Sequence, residues 1–559
     1  MAAGTPLGLR RFLHAAAATF LFIAACASKQ QQQQPQHTGS LYIPTPSEMT
    51  QVPARQHQGR LLCGAAGGNG GAAANSWECG NWAGTVAWRP SAVFVPEDEV
   101  HLSSFLAAAG PTSRFKVVGY GHSWAGLYVP PPLPTAPEAQ GTTIVLHKLS
   151  GITRMEREKG QVEVLTGTSF VDLHRELDER GLGLAWQSGG IQGLTVGGAV
   201  SVGFHGSQRS LGSVSAVVER MHVYNSRGGL HVLEDGKAEA APEQEQEPEP
   251  EPEQQQKLLE AARLGLGVCG ILTRVTLPVV PQFYLRRRRW QAESLSGFLA
   301  HELGPLKRRY DRFHYYVHPR SAGVWPMMWE EVPAETGRAE AAVRPCRTAL
   351  EQAEDAKETA YGRDGLPLIM RWDNCTDVGY KAYTHAVDME AQPLWNGEWF
   401  LPADDDAAEA ATVAAVQALF ESVGREMEAD GLPPLDLWLH VPYMHGDDHI
   451  PTNPCHGWGV CAGYELALVA EGMDAPLPSK EAWWRYFHPF EVLLKQQGAR
   501  PHWAKSHTVD PAYMATTGLP MDAFVQTCKR LDPEGRLGVH AEIHGAIEMA
   551  GAAVTANAW

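Results

Sequence analysis

In "VVGYGHSW", Val117 to Trp124, a single histidine, His122, stands on a glycine turn between Gly121 and Ser123. An apolar, strand-like run precedes it and a proline-rich loop follows. Two more glycine-rich turns lie downstream: "GGIQGLTVGGAVSVGFHGS", Gly189 to Ser207, and "GLGVCGILTRV", Gly265 to Val275. Glycine has no Cβ, so backbone N–H groups at such turns can approach a phosphate closely. None of the three carries a Walker lysine, and none opens a strand–GxGxxG–helix unit with an acid downstream. A P-loop and a Rossmann site are therefore disfavoured. Much later, "RPHWAKSH" (Arg500 to His507) sets Lys505 among histidines, and "NGEWFLP" carries Glu398. No C-x-x-C or C-x-x-H cluster suggests zinc, so no metal site is predicted.

Elements that would position these residues can be read around them. "SAVFV" is a short strand, and "PEDEVHLSSFLAAAG" opens on acids and closes on glycine, as a helix should. "RFKVVGYG" is a strand into a turn; "TTIVLHKLSGI" and "GQVEVLTG" are strands. "SFVDLHRELDERG" is an amphipathic helix, with Ser169 and Asp172 as a capping box and Phe170, Leu173 and Leu177 on one face. "VVERMHVYNSRGGLHVLEDG" is a hairpin turning at "NSRGG". After about residue 285 the pattern changes. Helices such as "AAEAATVAAVQALFESVGREM" and "KEAWWRYFHPFEVLLKQQG" alternate with aromatic strands such as "RFHYYVHP", which predicts a second, α+β domain. The run "LRRRRW", Leu285 to Trp290, reads as a solvated strand at the domain junction, with an anionic partner as the alternative.

The 559 residues are enough for two substantial domains plus accessory segments. A formal net charge of −17 argues against nucleic acid as a partner, since phosphate binding wants a basic face. Seven glutamates between Glu239 and Glu253 concentrate the acidity in a Glu/Gln/Pro tract that reads as a solvated insertion, residues 236–256. At the N-terminus, Arg10 and Arg11 precede "FLHAAAATFLFIAACA". This is a secretory signal pattern over residues 1–27, with a retained membrane anchor, a lipoprotein signal ending at Cys26, and an organellar peptide as alternatives. The expected location is the secretory pathway, as a secreted or membrane-associated protein. Residues 28–80 read as a low-complexity linker. Of the nine cysteines, eight lie beyond the leader; Cys63/Cys79 and Cys455/Cys461 are the closest pairs, but spacing leaves connectivity open.

"NWAG", "KVVGYGHSW", "GLTVGGAVSVGFHG", "AARLGLGVCGILTRVTL", "RPHWAKSH" and "RLDPEGRL" occur in that order from about Asn81 to Glu542. Together they resemble the aldonolactone oxidase family, the L-gulonolactone and D-arabinono-1,4-lactone oxidases, within the vanillyl-alcohol-oxidase (PCMH-type) FAD flavoproteins. The resemblance implies an α+β fold. A two-subdomain PCMH-type FAD-binding domain would span residues 81–285. A substrate-capping domain with an antiparallel sheet would span 286–559. It implies FAD as cofactor, bonded covalently through His122, since an imidazole is a nucleophile at neutral pH and the turn brings it close to a flat ring. It carries over Gly119, Gly121, Ser123 and Trp124 from the first turn; Gly193, Thr195, Gly198, Ser201, Gly203 and His205 from the second; and Gly270 and Ile271 from the third as cofactor-binding. Lys505 of the HWxK motif would face the flavin or the substrate oxygen and stabilise negative charge there. Glu398 is a further substrate-site candidate.

One segment departs from the family. Members carry Glu-x-Arg on a strand before a "GDD" turn; here the run is "LHVPYMHGDD". Counted back from Gly446 without a gap, those positions hold His440 and Pro442; a shifted frame gives Asp436 and Trp438. Neither frame supplies an arginine, so a forked, permanently charged donor is missing, while His440 remains a candidate base. The reading that follows is FAD-dependent oxidation of a CH–OH carbon of a sugar lactone or polyol, with oxygen or another electron acceptor. The alternatives are an oxidase of an alditol or oligosaccharide, and a flavin-binding remnant.

Overall fold

The computed structural model describes residues 62–65, 77–188, 193–235, 252–318, 323–347, 374–383, 394–431, 437–469 and 478–538. The leader, most of the 28–80 segment, the acidic tract up to residue 251 and Asp436 lie outside the described residues. Among the described residues no helix is long and apolar enough to cross a membrane.

Order begins earlier than the sequence predicts. Strands β1 (Leu62–Ala65) and β2 (Trp77–Gly80) pair antiparallel, and β3 (Ala87–Trp88) extends the ladder. A Cys63–Cys79 disulfide crosses the ladder, and Trp77 and Cys79 are buried. The crosslink and the tryptophan offset the ordering cost that composition alone assigns to this Gly/Ala-rich stretch.

The cofactor half has two sheets. In the first, β4 (Pro90–Phe94) and β5 (Phe115–Val118) flank β6 (Ala136–Val145) in parallel. Helix α1 (Glu99–Ala108) connects β4 to β5, capped by the Asp98 side chain, which accepts from the His101 N–H. Its Leu102, Phe105 and Leu106 pack on Phe94 and Phe115. In the second sheet, β7 (Ile152–Glu156), β8 (Gln161–Leu165), β9 (Arg220–Tyr224), β10 (Leu230–Glu234) and β11 (Ile271–Pro281) run in spatial order β10-β9-β11-β8-β7, and Leu182–Leu184 adds a sixth strand on β11. The predicted hairpin is β9–β10. Helix α2 (Phe170–Asp178) starts where the capping box places it: the Ser169 hydroxyl accepts from the Asp172 N–H. Phe170, Leu173 and Leu177 are fully buried, each stabilising by roughly 1.5–3 kcal/mol relative to exposure. Helix α3 (Val196–Val202) is capped by Thr195 and ends on Gly203 at φ 74°. Helix α4 (Pro252–Arg263) begins inside the predicted acidic insertion, with its proline where a missing N–H costs nothing.

The second half is a nine-stranded antiparallel sheet. Its strands are β12 (Tyr284–Arg289), β13 (Arg312–His318), β14 (Gly323–Val332), β15 (Cys375–Val378), β16 (Leu394–Pro402), β17 (Leu437–Val441), β18 (Val460–Val469) and β19 (Arg500–Pro501), in spatial order β15-β12-β14-β13-β17-β18-β16-β19. Tyr443–His445 pairs with β18 as the ninth. Helices α5 (Asp406–Ala429) and α6 (Lys480–Lys495) contribute Phe420, Phe487 and Phe490 to the core that takes in Leu439 and Leu466. The arginine run is a strand solvated on one face only. Arg288 is exposed, and Arg286 pairs with Glu340, but β12 lies inside the sheet and Arg287 is fully buried, donating to the Ala382 and Arg347 carbonyls.

The boundary at 286 also needs correction. The last described segment, with helix α7 (Met521–Cys528), returns to the cofactor half. Cys528 is disulfide-bonded to Cys269 in the third glycine turn, and Leu537 joins the core around Phe94. The Phe115 N–H donates to the Arg536 carbonyl, and buried Lys116 donates to Gly538 and Gly267. These partners are far apart in sequence, so no local pattern announces them. Cys346–Cys375 and Cys455–Cys461, whose pairing the sequence left open, bring the disulfides among the described residues to four.

Candidate active site

The three glycine turns form one wall. Gly119 lies against Thr195, so that a Cβ at 119 would collide with the threonine hydroxyl. The same hydroxyl accepts from the Gly198 N–H at 3.3 Å and caps α3. The third turn joins the second through the Leu266 N–H, which donates to the Ser201 carbonyl at 2.9 Å. Gly270, at φ 79°, has no room for a Cβ, which would collide with Val223. Together the turns line one cavity, with Gly119, Gly121, His122, Ser123, Trp124, Thr195, Gly198, Ser201, Gly270 and Ile271 all on its surface.

Lys505, His502 and Ala504 also line this cavity. The placement is direct: the Trp124 N–H and the Ser123 hydroxyl both donate to the Ala504 carbonyl, at 2.7 and 3.0 Å, across 381 positions of sequence. The Lys505 ammonium sits 4.8 Å from the centre of the Trp124 ring. His122 is half-buried at the cavity surface and stacks on Trp82 at 5.3 Å. Both ring nitrogens are shielded from solvent, and among the described residues neither has a hydrogen-bond partner. Burial, and then the charge of Lys505, push its pKa down to about 4, so the imidazole is neutral at neutral pH.

Not every predicted cofactor contact lines the cavity. Gly193 lies just before the wall, which starts at Leu194, and Gly203 serves as the left-handed end of α3. His205 lies beyond the wall. Its Nδ1 donates to the Gly206 carbonyl at 2.9 Å, and its Nε2 lies 3.3 Å from Glu398. Burial disfavours the imidazolium there, but Glu398 and the Gly206 carbonyl outweigh it and the pKa is raised. The substrate candidate Glu398 is thus the buried counter-charge of His205.

One transverse row of the second sheet explains the rest. Register places Tyr316 of β13 opposite His440 of β17, His440 opposite Glu465 of β18, and Glu465 opposite Glu398 of β16. Residues paired directly across strands share a face, and the next residue, His502, hangs on the Glu398 carbonyl through its N–H at 2.9 Å. Glu465 is the residue that sequence reasoning missed. It accepts from Lys505 at 2.8 Å, from His440 Nδ1 at 2.6 Å and from Asn396 at 2.7 Å. Burial opposes its charge, but Lys505 and His440 hold its carboxyl well below the usual range. Its signal was present: a lone acid inside "CAGYELALV", where every neighbour is apolar or small. His440 does not line the cavity; its Nε2 meets His314 Nδ1 at 2.9 Å and its ring stacks on Tyr316.

His205, Glu398 and His502 have ligand atoms within 4.8 Å of one another, close enough to hold a metal ion. Within this cluster His205 Nε2 faces Glu398 at 3.3 Å, and His502 Nδ1 accepts from the Ala504 N–H at 3.1 Å. Burial, and then the cations His205 and Lys505, hold the His502 pKa well below its ordinary value, so it is neutral.

A glycine-lined cavity with an imidazole of shielded, unpartnered nitrogens and a lysine on its surface fits a flavin dinucleotide. Comparison with known proteins agrees. Residues 90–234 match an FAD binding domain, and residues 434–541 match the D-arabinono-1,4-lactone oxidase domain. The chain is 24% identical over 481 residues to L-gulonolactone oxidase of Bos taurus, covering 81% of this chain and 95% of that one. It is 23% identical to L-gulono-1,4-lactone dehydrogenase of Mycobacterium tuberculosis, with the same coverage. It is 29% identical over 263 residues to D-arabinono-1,4-lactone oxidase of Eremothecium gossypii, covering 46% of this chain and 44% of that one. The fold is similar to that of cholesterol oxidase from B. sterolicum, with a TM-score of 0.63 at 14% identity over 84% of this chain and 97% of that one. With both domain types in order and relatives matched over most of their length, this chain carries an FAD binding domain followed by a D-arabinono-1,4-lactone oxidase domain and is similar to the aldonolactone oxidases.

Proposed function

We propose that this enzyme oxidises a CH–OH carbon of a sugar 1,4-lactone, with oxygen as acceptor and hydrogen peroxide as product. The observation that carries the reading is the cavity itself, which has His122 and Lys505 on its surface. The glycine turns would hold the pyrophosphate through backbone N–H groups, in place of a lysine. When bound, the flavin supplies the two-electron acceptor. Neutral, unpartnered His122 has a free lone pair and is the residue for covalent attachment of the ring. Lys505 supplies fixed positive charge at the reacting end, where negative charge develops. The buried His205–Glu398 and Lys505–Glu465 pairs frame the substrate side.

A second reading, an alditol or other polyol as substrate, is favoured by the 440–442 strand. His440 and Pro442 give that strand no guanidinium, and His440 is spent on Glu465 and His314. The test is anaerobic mixing of the holoprotein with L-gulono-, L-galactono- and D-arabinono-1,4-lactone and with matched alditols. Bleaching of the flavin absorbance by a lactone, followed by peroxide on admitting air, is the expected result. Bleaching by alditols alone selects the second reading, and no bleaching by any member of the panel rejects both.

A further inference from the structure

We propose that Glu465 is a positioning residue of this active site. From β18 it takes the place of the carboxylate that the 440–442 strand lacks, and it holds the Lys505 ammonium at the cavity wall. The proposal rests on the reading that Lys505 faces the flavin.

Four observations carry it. Glu465 stands directly across from His440, so its carboxylate arises one strand over from the position that holds no acid. The carboxylate is divided between its partners: Oε1 takes Lys505 and Asn396, and Oε2 takes His440. His440 is itself fixed from behind by His314 at 2.9 Å and by the Tyr316 ring at 4.2 Å. The neighbouring carboxylate, Glu398, has its own counter-ion in His205, which leaves the charge of Glu465 to Lys505 and His440.

The physical need is plain. A lysine is a point charge on a flexible stem and does not select one direction by itself. An ammonium aimed into a cavity needs a fixed anion at its flank, and a buried carboxylate persists only when its lone pairs are met. The brace from His440 and His314 fixes the carboxylate; the carboxylate and the Trp124 face together fix the ammonium.

The test uses sulfite, an anion that bleaches bound flavin and whose adduct gains from a well-placed cation. Its dissociation constant is measured on the full-length holoprotein, on Lys505→Met, on Glu465→Gln, on the double variant and on Glu465→Asp, with flavin content and thermal midpoint recorded for each. Lys505→Met is expected to weaken sulfite binding by about tenfold or more. Glu465→Gln is expected to weaken it in the same direction, by about fivefold, and the double variant to fall within about twofold of Lys505→Met, because both act through one ammonium. Charge alone predicts the reverse: deleting an anion should tighten sulfite binding. Unchanged or tighter binding in Glu465→Gln, with Lys505→Met still weakened, overturns the role of Glu465 and leaves the lysine reading standing. Unchanged binding in both variants overturns both. If Glu465→Gln does not fold, Glu465→Asp decides, since it draws the same carboxylate back by one methylene: an intermediate affinity supports the proposal, and wild-type affinity overturns it.

Discussion

His122 shows how much a single side chain can disclose. An imidazole with both nitrogens shielded from solvent and unpartnered among the described residues is unusual, because buried polar atoms are almost always hydrogen-bonded. Its pKa of about 4 keeps it neutral from pH 5 upward, so its lone pair is available over the whole useful range. Acid-precipitated, denatured protein is expected to stay yellow, and the His122→Ala pellet to be colourless, with its FAD released to the supernatant. A colourless wild-type pellet would rule the covalent link out. His122 and Lys505 were legible in the sequence because a rare residue stood in a recognisable motif. Glu465 was not: its importance depends on which strand lies beside β18, and pairing between β17 and β18 is set by the whole sheet.

At the scale of elements, local rules served well where the structure is local. The Ser169 cap, the buried face of α2 and the β9–β10 hairpin follow from residues a few positions apart. They failed at β1–β2 and at α7, where the stabilising partner is remote. The Cys269–Cys528 bond ties the third glycine turn to α7 across 259 positions. Closing so long a loop restricts the unfolded chain, so replacing both cysteines by serine should cost about 2–4 kcal/mol in urea unfolding. An unchanged urea midpoint would show that packing alone holds the turn. The arginine run misled at one residue for a related reason. Charge count suggests solvent, which holds for Arg288, but the interior place of β12 buries Arg287 among backbone carbonyls.

For the whole molecule, buried histidines set a pH limit. Burial lowers the His174 pKa to about 3, and burial with neighbouring cations holds His502 well below 6.5. An unfolded chain binds protons at these residues near pH 6.5 while the folded one does not. Their contribution to stability is therefore complete above pH 6.5 and is lost as pH falls toward the folded values, at up to about 1.4 kcal/mol per pH unit for each histidine. His205 works the other way, since its folded pKa is raised. Urea midpoints of the holoprotein should fall between pH 7 and pH 5, and a flat or rising profile would contradict the neutral assignment of His174 and His502.

The return of residues 521–538 to the cofactor half also governs how the protein is made. Phe115, Lys116 and the third glycine turn obtain partners from Arg536, Gly538 and Cys528, which follow the whole second sheet in the chain. The nascent cofactor half therefore waits, incomplete, while the entire second sheet is synthesised. A premature stop codon just before residue 519 removes these partners together, and with them the support of the third glycine turn.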